Sequence, residues 1–232
     1  MPHGLRAVLF DFDGVIVNSE PLHFLAFHDV LKAEHIDLTE DEYYREMIGF
    51  DDKGAFRHIY RTRGVKLEPK VFLRLLTRKS EVMMDLIQQR RYSALPGVSE
   101  FVRSLWRDYP LAICSGALRE EIEVMLEGIS LRDCFKVIVA AEDVTAGKPD
   151  PQGYLLTAER LSQRIGRKLP PSECLVVEDA PTVIRRAKEV GFATLAVANT
   201  YPVQKLGEAD FVVPSLRPED VQGKIPGLKM MV

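Results

Sequence analysis

Asp11 and Asp13 stand one residue apart in the segment Asp11-Phe12-Asp13-Gly14. That spacing lets one carboxylate face a bound phosphate while the other stays free for proton transfer. A carboxylate that attacks phosphorus forms an aspartyl-phosphate and divides one hard step into two easier ones. A second acid can then protonate the departing alkoxide. Taken alone, the pair reads equally well as an acidic turn at a helix start.

Three further groups carry related chemistry. Ser115-Gly116 offers a hydroxyl and backbone N–H groups suited to a phosphate oxygen, although Ser and Gly are also ordinary turn and N-cap residues. Lys148 lies in Gly147-Lys148-Pro149-Asp150-Pro151, a loop stiffened by prolines, where a positioned ammonium can neutralise both phosphate and nucleophile. Its bland alternative is a solvated turn lysine. Glu178-Asp179 adds two acids after the apolar run Leu175-Val176-Val177, and Asp179 before Ala180-Pro181 also suits an N-cap. Four converging carboxylates repel, and Mg2+ resolves this, because it prefers a few carboxylates with phosphate oxygen and waters.

The elements that must position these residues are readable. Residues 7–10 form an apolar run closed by acids, the pattern of a strand buried on both faces of a parallel sheet. Similar runs fall at 111–114, 137–140, 175–177 and 194–198, with a weaker one at 211–213. Helical periodicity separates them at about 98–108, 118–127, 152–165 and 181–190, and Gly128, Gly166 and Gly191 are placed for left-handed C-caps after the last three. The alternation predicts an α/β doubly wound parallel sheet with ligands bound beyond the C-terminal strand ends. Each of the four signals then follows a strand.

Between residues 20 and 92 no strand-like run occurs, and helices are expected through 22–33, 41–48, 53–62 and 69–89. Thr39 with Glu42 makes a capping box, and Gly64 is placed to stop the third helix. The expected organisation is a core of residues 1–17 and 94–232 interrupted by a small all-helical cap at 18–93, whose two connections suit a movable lid. Residues 223–232 read as a tail.

The chain has 232 residues, 46% hydrophobic and 28% charged, with a formal charge of −3. This composition supports a packed core and carries no basic footprint for nucleic acid. Cysteines at 114, 134 and 174 lack CxxC spacing, which fits packed thiols in a reducing compartment rather than a disulfide framework or zinc site. The N-terminal apolar run is too short and too charged for a membrane span. A cytoplasmic monomer acting on a small-molecule phosphate, with neither a nucleic-acid nor a membrane partner, is expected.

In this order, Asp11-Phe12-Asp13-Gly14-Val15, Ser115, Lys148-Pro149 and Glu178-Asp179 resemble the four motifs of the haloacid dehalogenase superfamily of phosphatases and mutases. The resemblance covers almost the whole chain, and the helical insert after the first motif is similar to the β-phosphoglucomutase-like and phosphoglycolate-phosphatase-like branch. It implies a Rossmann-like core with Asp11 as nucleophile and metal ligand. Asp13 would be the general acid/base and a ligand through its carbonyl, with Asp179 a further ligand and Glu178 supporting the Mg2+ site. Ser115, Gly116 and Lys148 would hold the phosphoryl group, aided by backbone N–H groups of Phe12 and Asp13.

His23 and Lys79 fall where the mutase has cap-side substrate or acid/base contacts. Where the mutase cap grips a second phosphate with arginine, this loop reads Gly49-Phe50-Asp51-Asp52-Lys53, and Lys53 as a substitute lacks the bidentate fork. The usual small residue and Gly after the fourth motif are also altered, to Ala180-Pro181-Thr182-Val183. The implied function is a magnesium-dependent phosphatase of a small sugar or organic phosphomonoester, with a β-phosphoglucomutase-like phosphomutase as the alternative. A dehalogenase would need neither an acid at Asp13 nor a metal. A phospho-aspartate receiver also carries acids, Ser/Thr and Lys on strand ends, but the length and the helical insert argue against it.

Overall fold

The computed structural model describes residues 4–48 and 50–230, so Gly49, the three residues before Gly4 and the two after Met230 lie outside the described residues. The chain divides into two compact units, Met1–Asn18 with Ser93–Val232 and Ser19–Tyr92.

Strand β1 (Ala7–Phe10) opens the first unit and is buried at every position. A tight loop then leads to β2 (Val17–Asn18), and the chain enters the helical unit. That unit holds α1 (Glu20–Ala33), α2 (Glu40–Glu42) with a wider turn over Tyr43–Met47, α3 (Asp52–Thr62) and α4 (Pro69–Gln88). Its apolar side chains, among them Phe27, Leu31, Tyr43, Phe56 and Leu75, form one cluster. The chain returns through β3 (Ser93–Ala94), which pairs antiparallel with β2. Two-residue strands carry no period, so this ribbon leaves no trace in the sequence pattern.

Thereafter strand and helix alternate as far as β7: α5 (Val98–Leu105), β4 (Leu111–Cys114), α6 (Arg119–Gly128), β5 (Phe135–Val139), α7 (Gln152–Ile165), β6 (Cys174–Glu178), α8 (Pro181–Glu189) and β7 (Ala193–Val197), followed by β8 (Phe211–Val213) and α9 (Pro218–Val221). The six long strands make one parallel sheet in the order β5-β4-β1-β6-β7-β8. Strand side chains alternate between faces. Ala7 and Leu9 therefore pack with Tyr154, Ala158 and Leu161 of α7 and with Val183 and Ala187 of α8, whereas the Phe10 ring meets Phe101 of α5 edge-on at 6.0 Å. Helices thus cover both faces, and the doubly wound expectation holds. The chain leaves β1 for β4 and β5, then crosses to β6 on the other side, which makes the C-terminal edge of β1 the topological switch point where ligands bind.

Local signals fared unevenly. Gly166 and Gly191 take left-handed φ of 68° and 95°, and Gly64 stops α3 at φ 65°. Gly128, by contrast, stays inside α6, and Ser130 takes the left-handed position at φ 58°. The reason is Leu131: it is fully buried, and its N–H bonds the Leu126 carbonyl at 3.0 Å, so the reversal must occur one residue before it. Thr39 caps the Glu42 N–H at 3.2 Å, but the Glu42 carboxylate pairs with Arg63 at 2.6 Å, leaving the expected box half made. The expected tail is packed, with Ile225 buried and the Tyr109 hydroxyl bonded to the Gly227 carbonyl at 3.2 Å. Cys114, Cys134 and Cys174 are free and buried, and burial pushes the Cys114 and Cys174 thiols up to about 12.

Candidate active site

The sheet order puts the ends of β4, β1 and β6 side by side, and with them Ser115, Asp11 and Asp179. Asp11 prolongs the ladder, its N–H bonding Val177 at 2.9 Å, as Ser115 does to Val139 at 2.9 Å. The backbone then turns sharply. Ile16 bonds back to Phe12 at 2.8 Å, and Gly14 sits at φ +78°. A Cβ on Gly14 would collide with Asp179 Oδ2 and lie 2.9 Å from Thr200 Oγ1, so only glycine lets this loop approach the end of β6.

Lys148 reaches into the centre of this group. Its Nζ lies 2.5 Å from Asp11 Oδ1, 2.6 Å from Glu178 Oε1 and 3.3 Å from the Tyr154 hydroxyl. Asp11, Glu178 and Asp179 are all buried, and each offers a carboxylate oxygen within 4.8 Å of the others. Burial first, then the charges of Glu178, Asp179 and Asp13, pushes the Asp11 carboxyl well above the usual range against the pull of Lys148. Burial and Glu178 likewise push Asp179 up to about 7. Burial alone would depress the Lys148 ammonium, yet Asp11 and Glu178 outweigh it and hold the group charged.

The Asp13 carboxylate stands outside this group of three and lies 3.4 Å from Ser115 Oγ, which also accepts the Ala117 N–H at 3.0 Å. A Cβ on Gly116 would meet nothing within 4 Å, so open space lies over that residue. Beside these acids, Asn199 Nδ2 donates to the Gly14 carbonyl at 2.8 Å and holds the loop backbone, and Thr200 Oγ1 donates to Asp179 Oδ2 and orients that carboxylate. Tyr154, Asn199 and Thr200 carried no usable signal in the sequence, because an aromatic in a helix and polar residues in a loop are ordinary there.

A family model for haloacid dehalogenase-like hydrolases matches residues 8–197. The chain belongs to this family. A phosphorylated carbohydrates phosphatase of Thermotoga maritima is 30% identical over 191 residues, covering 81% of this chain and 82% of that protein. A β-phosphoglucomutase of Bacillus subtilis is 26% identical, covering 90% and 89%. Among solved structures, CbbY from Rhodobacter sphaeroides in complex with phosphate superposes with a TM-score of 0.79 at 22% identity, over 92% of this chain and 95% of that one. As a member of the haloacid dehalogenase-like hydrolases, the chain carries its acidic group at the strand ends where the fold binds ligands.

The donor set fits a hard divalent cation. All donors are oxygens, the acids are buried, and the single lysine among them leaves negative charge uncompensated. Among the described residues, no helix is long and apolar enough to cross a membrane.

In the helical unit, the structure joins two of the three expected residues. Lys79 Nζ lies 2.9 Å from His23 Nδ1 and 2.8 Å from Asp52 Oδ1, with its side chain 2% exposed and its charge 5.2 Å over the Phe27 ring. Lys53 is exposed on the first turn of α3. Asp52, unremarked in the sequence as a partner, supplies the counter-charge.

Proposed function

We propose that the protein is a magnesium-dependent phosphatase that hydrolyses a small sugar or organic phosphomonoester through an aspartyl-phosphate. The observation that carries this reading is the buried Asp11 carboxylate held by the Lys148 ammonium at 2.5 Å, with a second acid, Asp13, two residues on and 3.4 Å from Ser115 Oγ. Asp11 attacks phosphorus, the bond to the ester oxygen breaks, and Asp13 gives that oxygen its proton. Asp13 then takes a proton from water, whose oxygen attacks the aspartyl-phosphate and returns Asp11 as inorganic phosphate departs. Ser115 holds a phosphoryl oxygen, and the Lys148 ammonium, fixed beside Asp11, offsets the charge that moves between attacking and leaving atoms.

Asp11, the Asp13 carbonyl and Asp179 would hold Mg2+, with Glu178 behind them. The ion would supply positive charge to the phosphoryl oxygens and keep the buried carboxylates ionised. The phosphatase relative supports hydrolysis, and the buried thiols support a reducing, cytoplasmic setting.

The second reading, a phosphomutase, draws on the Bacillus subtilis relative. A mutase must hold a second phosphate, and the helical unit, which we take as the substrate-selecting cap, meets Lys79 with the carboxylate of Asp52. That pairing disfavours a bisphosphate. A screen of sugar and organic monophosphates with Mg2+ decides between them. Inorganic phosphate release is expected, whereas conversion of glucose 1-phosphate to 6-phosphate with a bisphosphate primer would establish the mutase.

A further inference from the structure

We propose that Tyr154 is a positioning residue that aims Lys148 at the nucleophile. An ammonium has three donors, and Lys148 directs them at Asp11 Oδ1, Glu178 Oε1 and the Tyr154 hydroxyl, at 2.5, 2.6 and 3.3 Å. The Tyr154 hydroxyl in turn donates to Glu178 Oε1 at 3.2 Å. Glu178 Oε2 accepts the N–H groups of Asp179 and Ala180, both at 2.9 Å, so both oxygens of this carboxylate are held in place by the protein. Tyr154 is 1% exposed, its ring packs 6.1 Å from Phe192, and the lysine charge lies 4.9 Å over it. A buried phenol needs a partner, and here it is anchored by the first residues of α7 and closes a triangle with Lys148 and Glu178. Without the hydroxyl, the ammonium keeps only two acceptors and can swing about the Glu178–Asp11 line. The side chain touches no reacting atom; it acts through the lysine.

This inference rests on the reading of Asp11 and Lys148 as the phosphoryl site. Tyr154→Phe keeps the ring and removes the hydroxyl. In the full chain it is expected to lower kcat/KM for an aryl phosphate, and the affinity for inorganic phosphate measured by calorimetry, each by about tenfold, the size of one hydrogen bond to a charged group. In a Lys148→Ala background the same substitution is expected to change neither by more than about twofold, because the coupled partner is already gone. A merely structural role would lower the thermal midpoint and give the same loss in both backgrounds, which overturns the proposal. Unchanged values in Tyr154→Phe overturn it as well. If the wild-type chain neither hydrolyses phosphate esters nor binds inorganic phosphate, the site reading itself fails. Should Tyr154→Phe not fold, the wild-type chain labelled with 15N-lysine still decides. A held ammonium gives a slowly exchanging resonance, missing from Lys148→Ala, with a through-space contact to the Tyr154 hydroxyl proton, and the lack of that contact in the wild type overturns the inference.

Discussion

At the residue scale the site is a contest between burial and charge. In the proposed mechanism Asp11 must be ionised to attack, yet burial and its acidic neighbours push its carboxyl up, and Lys148 opposes them. Asp11→Asn removes the attacking oxygen while keeping the shape, and hydrolysis of a generic aryl phosphate should fall by more than about a thousandfold. Full activity in that variant would sink the mechanism. Asp13→Asn should slow turnover far more than it weakens Mg2+ binding, compared by steady-state kinetics and calorimetry, because its proposed metal contact is a carbonyl. Gly14→Ala should cost about 1–3 kcal/mol in denaturant unfolding, since it adds a Cβ at positive φ against Asp179 and Thr200. Its Mg2+ affinity should fall too, because Asp179 must move.

At the element scale, Asp11, Ser115 and Asp179 directly follow β1, β4 and β6, whereas Lys148 reaches them from the loop that leads into α7. In the helical unit, α1, α3 and α4 are tied by the buried Lys79 to His23 and Asp52. Removing the counter-charge strands an ammonium that is 2% exposed, whereas Asp52 itself is 37% exposed and loses little when hydrated. Asp52→Asn is therefore expected to destabilise the chain by about 2 kcal/mol, and Lys79→Met, which removes the charge and keeps the stem, by less than about 1 kcal/mol. Chemical denaturation of both variants checks the order. Equal losses would show that the ion pair, rather than the stranded charge, sets the energy.

At the scale of the whole molecule, folding brings the carboxylates of Asp11, Glu178 and Asp179 together at a free-energy cost that the proposed cation would relieve. Asp179, pushed up to about 7 by burial and by Glu178, binds its proton more tightly folded than unfolded. The contribution is therefore fully present below its ordinary carboxylate range and lost as pH rises through about 7. In chelator, the unfolding midpoint should drop between about pH 5 and pH 8, and Mg2+ should restore it at the upper end. A midpoint that is flat with pH and indifferent to Mg2+ would remove the metal assignment. Activity that survives exhaustive chelation would do the same.

The sequence by itself determined the parallel sheet, because runs buried on both faces, such as Ala7–Phe10 and Leu111–Cys114, have few other places to go. It also placed Asp11, Ser115 and Glu178-Asp179 at strand ends, since apolar runs closed by polar residues mark where a strand leaves the core; Lys148, expected at a strand end too, lies instead in the loop between Ala141–Asp143 and α7. The cap at Ser130, the half-made box at Thr39 and the packed C-terminal segment were decided by tertiary contacts of Leu131, Arg63 and Tyr109, which no local pattern encodes. Folding also decided which charges meet. Tyr154 joins Glu178 across 24 residues and Lys79 joins His23 across 56, because such pairings depend on how elements pack and not on spacing along the chain.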